Sequence, residues 1–230
     1  MIDKKILIVV EGLADTIFLR DYLYSLYGKE KRFEKSPQKD IKGHLSGHIK
    51  IFEKPEIIIF YTGGVTKLPT SKTFFNTYND YKMLLIFDTD DVNKDNGGFE
   101  ARLTYLQKEI KEIQVAFEDI FLLPTNLSTT KVEDAQDGDI ETLLQAITNK
   151  EKFEKFITCY DAFCNCISFS DFIAEYNQTK SKIYNYIQIY QGSELAKEKS
   201  RVYTSEFWNF EHESLYNLKA FFEKNINKLS

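Results

Sequence analysis

Carboxylates stand at three places where an apolar run has just ended: Glu11 with Asp15 after Ile6-Leu7-Ile8-Val9-Val10, Asp88 with Asp90 after Met83-Leu84-Leu85-Ile86-Phe87, and Asp139 with Glu141 beyond the run that stops at Pro124. Two carboxylates about 4 Å apart repel by roughly 4 kcal/mol at an effective dielectric near 20, so a gathering of four or five needs a counter-charge. A divalent cation supplies it. All-oxygen ligands favour Mg²⁺ or Mn²⁺ over zinc and leave positions for water and phosphate oxygens. The spacing within each group suits a shared mouth. Gly12 puts no side chain in a ligand's way, and Asp15 falls in the first turn of a following helix. Asp88 and Asp90 are two apart, so an extended chain past Phe87 projects both to one side, with Asp91 pointing away. The bland alternatives are helix caps, solvated strand ends and an ordinary acidic loop.

The elements that must position these groups alternate. Lys5–Val10 reads as a buried parallel strand, followed by a helix over Leu13–Tyr27. Two short strands follow at Ile49–Phe52 and Glu56–Tyr61, the second running into the Thr62-Gly63-Gly64 turn; Ser71–Tyr78 reads as helical. Met83–Phe87 is the most apolar strand, Phe99–Ile113 an amphipathic helix with Leu103, Leu106, Ile110 and Ile113 on one face, and Ile120–Leu123 a strand stopped by Pro124. The pattern predicts an α/β fold, a mostly parallel sheet with helices on both faces. In such sheets ligands bind outside the carboxyl ends of the strands, where Glu11 and Asp88 stand. From Asp139 onward helices dominate: Ile140–Ile147, Lys152–Phe163, about Ile173–Ile189, and Ser214–Asn225. The expected division is an α/β domain over 1–145, carrying a basic insert at 28–50, and a helical extension over 146–230 packed on it.

Composition bounds the possibilities. A chain of 230 residues should bury about 70 to 75% of its unfolded surface. Its 43% hydrophobic content argues against a disordered polymer, and charges scattered through every segment argue against a membrane span. The basic start lacks a small-residue cleavage site, so no secretion signal is expected and a cytoplasmic location follows. Cys159, Cys164 and Cys166 suit reduced thiols better than a disulfide framework, and a zinc site would need a distant fourth ligand. A net charge of −5 is not that of a typical nucleic-acid binder, although a bound cation can hold phosphate locally. The insert 28–50, with six Lys and one Arg against two Glu and one Asp, is either a backbone-contacting patch or a solvated loop. His44 and His48 have helical metal spacing but lie among Gly and Ser. No GxxxxGK[ST] phosphate loop occurs, which argues against a motor or kinase.

Val10-Glu11-Gly12 with Asp15, then Gly63-Gly64, then Asp88-Thr89-Asp90 resembles the TOPRIM domain of type IA and II topoisomerases, DnaG-type primases, small ribosomal-RNA-maturing ribonucleases and OLD-family nucleases. Leu122-Leu123-Pro124, Gly138-Asp139-Ile140-Glu141 and the stretch Lys180 to Tyr186 look like corresponding segments of the OLD branch and of a small stand-alone bacterial TOPRIM-related family of unknown function. Trp208 and the closing Leu215, Leu218, Phe221 and Phe222 are similar to that family's C-terminal pattern. The resemblance implies a TOPRIM-like fold and Mg²⁺- or Mn²⁺-dependent hydrolysis of phosphodiester bonds in DNA or RNA. It implies a first metal site of Glu11, Asp88 and Asp90, with Glu11 also general acid/base. A second would use Asp15 and Glu141 with Asp139 nearby, and Lys180 or Lys182 would stabilise the phosphate charge. Gly12, Gly63 and Gly64 are the expected phosphate-binding backbone; Lys67 joins them or is a solvated surface lysine.

Two other classes share these residues. One is a non-catalytic module binding metal and nucleic acid in a defence or repair complex, with a partner ATPase or other protein; the other is nucleotidyl transfer of the primase kind. Nothing resembles the tyrosine-bearing cleavage domain of a topoisomerase or the ATPase region of a full OLD protein. A phosphoacceptor receiver domain would need an acidic pair where this chain has Glu11-Gly12.

Overall fold

The computed structural model describes residues 5–27, 48–53, 56–124, 138–167, 178–197 and 200–226. Five strands form one sheet: β1 (Ile6–Val10), β2 (His48–Glu53), β3 (Glu56–Tyr61), β4 (Lys82–Asp88) and β5 (Asp119–Leu123). Their order is β2-β3-β1-β4-β5; four strands run parallel, and β2 pairs antiparallel with β3 at one edge. The helices are α1 (Leu13–Tyr27), α2 (Lys72–Thr77), α3 (Phe99–Ile113), α4 (Ile140–Ile147), α5 (Lys150–Ile167), α6 (Gln178–Gln191), α7 (Ser193–Ala196) and α8 (Tyr216–Ile226). Residues 28–47 of the expected basic insert, His44 among them, lie outside the described residues, and 48–50 open β2.

Alternation along the strands sorts the core into two layers. Ile6, Ile8 and Val10 of β1 join Leu84 and Ile86 of β4 on one face, against α1, α4, α5, α6 and α8. Leu7, Val9, Leu85 and Phe87 face the other way, against α2 and α3. Strands buried on both faces read as unbroken apolar runs, which is why β1 and β4 stood out in the sequence. The helix that follows β1 therefore lies on one face and the helix that follows β4 on the other. Diverging connections leave a crevice between the carboxyl ends of β1 and β4.

The first face is closed by the C-terminal helices, which share its core. Ten consecutive residues of α1, Ala14 to Leu23, are buried, three of them with acidic or basic side chains, Asp15, Arg20 and Asp21. Arg20 and Asp21 offset that burial by pairing through Nε–Oδ1 at 2.6 Å and Nη2–Oδ2 at 2.9 Å. Asp21 also accepts the Tyr203 N–H at 2.8 Å, and Arg20 donates to the Arg201 carbonyl, so α1 clamps the 201–203 segment. Aromatic contacts extend the tie: Phe18 meets Tyr203 edge-on, Tyr203 meets Trp208, and Tyr22 lies against Phe222. Among the described residues no helix is long and apolar enough to cross a membrane.

Trp208 is the one tryptophan and is fully buried in the layer that joins α1 to the C-terminal helices. Its fluorescence and the far-UV dichroism of the whole chain are expected to change at the same urea midpoint, because one core serves both parts. Trp208→Ala should lower stability by about 3–5 kcal/mol. Two separate transitions in the wild type would count against the shared core.

Candidate metal centre

In-register parallel pairing brings the first two acidic groups together. Val10 pairs with Ile86, so Glu11 follows β1 beside the end of β4, where Asp88 pairs with Leu123 of β5. Neighbouring strands lie about 4.8 Å apart. Asp15, in the first turn of α1, accepts the Gly12 N–H through Oδ2 at 2.7 Å.

The third group arrives through a side-chain clamp. Thr89 Oγ1 donates to the Gly138 carbonyl at 3.1 Å and accepts the Gly138 N–H at 2.8 Å. The Asp90 N–H donates to the same carbonyl at 2.7 Å. Residue 138 is thereby locked to the end of β4, and α4 starts at the same mouth. Gly138 has φ +146°, and a Cβ there would meet Thr142 Oγ1 at 2.7 Å, so a glycine is needed. Asp139 is the N-cap of α4: its Oδ1 accepts the Thr142 N–H at 3.1 Å and the Thr142 hydroxyl at 3.0 Å. Glu141, 2% exposed, accepts from the Tyr184 hydroxyl at 3.1 Å and lies 3.6 Å from Lys180 Nζ. The Arg201 guanidinium lies 4.3 Å over the Tyr184 ring, so the α1 clamp on residues 201–203 reaches Glu141 through Tyr184.

Electrostatics divide the centre into two halves. On one side burial, then Asp15, Glu11, Asp139 and Glu141, push the Asp88 carboxyl well above the usual carboxylate range. Burial likewise lifts Asp15 to about 8, opposed by the Gly12 N–H and reinforced by Glu11 and Glu141. Glu141 is raised by burial against the pull of Lys180. Lys180 is itself held up: burial works against its charge, but Glu141 and Tyr184 outweigh it. On the other side, burial raises Glu11 while Arg102 and Lys94 draw it back.

Asp90 does not join Asp88. The chain turns rather than staying extended, with Asp90 at φ +59°, and both its oxygens are taken, Oδ1 by Lys94 at 2.8 Å and Oδ2 by the Nη2 of Arg102. The glycine amides also differ from expectation. Gly63 and Gly64 donate to the Glu11 carbonyl at 2.9 and 3.1 Å, and Gly12 donates to Asp15. Together with Val65 N–H on Glu11 Oε1 at 3.3 Å, these groups hold the acids rather than presenting a phosphate cradle. Positive φ at Gly63 and Gly64 permits that turn. Lys67 is exposed in the 3₁₀ turn Val65–Lys67. Lys180 reaches the centre, whereas Lys182, about 200° further round α6, pairs with Asp161 at 2.7 Å.

Arg102, Lys94, Thr89 and Tyr184 belong to the centre and were not singled out for it by the sequence. Arg102 carried a signal: it lies four residues before Leu106 on the buried stripe of α3, where an arginine needs a partner.

The donor set fits a hard divalent cation. It is all oxygen, and Glu11 Oε2 and Asp88 Oδ1 are buried with no hydrogen-bond partner. Among the described residues no three Asp, Glu, His or Cys side chains form a group that would hold a metal ion; Asp90 and Asp139 are engaged elsewhere. Comparison with protein-family models, with curated proteins and with solved structures returned no match.

Thr89→Val removes both bonds to Gly138 and should lower the urea stability by about 1–3 kcal/mol. A second expectation concerns pH. Carboxyls that hold protons to higher pH when folded stabilise the fold fully below their ordinary range near 3.8, and for Asp15 this is lost as pH rises through about 8. With a chelator present, the unfolding free energy from urea titrations should fall between about pH 5 and 8, by about 1.4 kcal/mol per pH unit for each extra proton held. Mg²⁺ or Mn²⁺ should flatten that decline; a free energy rising with pH in chelator would speak against uncompensated buried carboxylates.

Proposed function

We propose that the chain is a TOPRIM-type, OLD-like hydrolase that cleaves phosphodiester bonds of DNA or RNA with Mg²⁺ or Mn²⁺. The observation that carries this reading is the meeting of Glu11 and Asp88, from adjacent parallel strands, with Asp15 and Glu141, leaving two buried carboxylate oxygens without partners. A bound Mg²⁺ or Mn²⁺ supplies a counter-charge for phosphate and a water of lowered pKa.

The chain's own residues divide the remaining work. Glu11 and Asp88 would hold the cation from the sheet, and Asp15 and Glu141 would complete the oxygen set. Glu11, whose carboxyl is raised by burial and fixed by the Val65 N–H, is the general acid/base that takes or returns the proton of the attacking or leaving oxygen. Lys180, 47% exposed at the rim, meets the negative charge that builds on the phosphate. The Thr89–Gly138 clamp and the Tyr184 hydroxyl keep Glu141 in register with Asp88.

The engagement of Asp90 by Arg102 and Lys94 favours a second reading, a module that binds metal and nucleic acid without cleaving it, beside a partner ATPase or other protein.

The test is cleavage of mixed DNA and RNA substrates with Mg²⁺ or Mn²⁺. Glu11→Gln and Asp88→Asn should each lower the rate about 100-fold or more, and Lys180→Ala should cost more than Lys182→Ala. Metal-dependent binding without cleavage in the wild type would favour the module, and neither binding nor cleavage would remove both readings.

A further inference from the structure

The two halves of the centre are unequally supplied with positive charge. On the Glu11 side Arg102 is 1% exposed, its Nη2 on Asp90 Oδ2, and Lys94 holds Asp90 Oδ1 at 2.8 Å. Both oxygens of Asp90 thus have cationic partners, and its left-handed backbone, tied to the Gly138 carbonyl, fixes where the side chain leaves the loop. On the Asp88 side Lys180 is paired with Glu141, and Asp88 Oδ1 has no partner.

Arg102 is not explained by its ion pair alone. Its Nε and Nη1 are buried and unpartnered, and a buried guanidinium with unused donors destabilises the fold unless something else requires it there. A second divalent cation in the Asp90 half would sit against this fixed charge, and Asp139, the other carboxylate near at hand, is held as the cap of α4.

We infer that Arg102 is a positioning residue that keeps Asp90 out of the metal shell and acts as a resident cation beside Glu11, so that the centre takes one divalent ion, between Glu11 and Asp88 with Asp15 and Glu141 in the same shell, rather than two. This rests on the metal-dependent reading above. It replaces the two-metal arrangement that the motif resemblance implies and assigns Asp90 to the arginine.

The test counts Mn²⁺ on the full chain by calorimetric titration and by electron paramagnetic resonance. The wild type should take up one Mn²⁺ and, at saturation, show the spectrum of an isolated ion. Arg102→Met should release Asp90 and admit a second Mn²⁺, the double variant Arg102→Met/Asp90→Asn should return to one, and Arg102→Lys, which keeps the charge, should stay at one. A purely structural arginine would lower stability without changing the count. Should Arg102→Met fail to fold by far-UV dichroism, the wild-type spectrum decides: an isolated ion supports the inference and a coupled Mn²⁺ pair overturns it. Two Mn²⁺ in the wild type overturn this inference alone, whereas no Mn²⁺ binding at all overturns the metal-dependent reading with it.

Discussion

Like charges forced together at the end of a parallel sheet are the constraint around which the centre is built. β1 and β4 are adjacent and in register, so Glu11 and Asp88 cannot separate without breaking the pairing of Val10 with Ile86. Two carboxylates about 4 Å apart repel by roughly 4 kcal/mol at an effective dielectric near 20, and burial adds to the cost of charging Asp88 beside Asp15 and Glu11. The surroundings relieve the repulsion locally: amides of Gly12 and Val65 on Asp15 and Glu11, Tyr184 and Lys180 on Glu141. They do not relieve it at Asp88.

That relief is unevenly distributed because the connections diverge. α3 leaves β4 toward the face covered by α2 and α3 and carries Arg102 to the Glu11 side. α1, α4 and α6 gather on the other face; Asp15 and Glu141 come to Asp88, and Lys180 to Glu141. A single sheet end therefore has fixed cations beside Asp90 and Glu11, and at Asp88 a buried carboxylate oxygen with no partner.

The C-terminal helices contribute more than a cover. Arg20 and Asp21 are buried in α1 as a pair, and the same pair holds the 201–203 segment whose Arg201 lies over Tyr184. Helices distant in sequence thereby govern the orientation of Glu141. Lys180 and Lys182 could not be told apart by a motif, since both are basic and close together; the helical turn between them sends one to Glu141 and the other to Asp161.

Much of the framework was legible in the sequence because it depends on local periodicity. The apolar runs of β1 and β4, the helical stripes of α1 and α3, and the placement of Glu11 and Asp88 at strand ends follow from patterns of 2 and 3.6 residues that neighbouring side chains impose. Asp90 was not legible, because an extended chain and a left-handed turn read alike after Phe87, and only the Gly138 carbonyl and Arg102 select the turn. Gly63 and Gly64 read as a loop for a ligand, yet their amides bind the Glu11 carbonyl across 52 residues of chain. The sequence determined which carboxylates reach the sheet's end; the tertiary structure alone decided which of them are already neutralised, since charge pairing depends on distances between elements that no local pattern encodes.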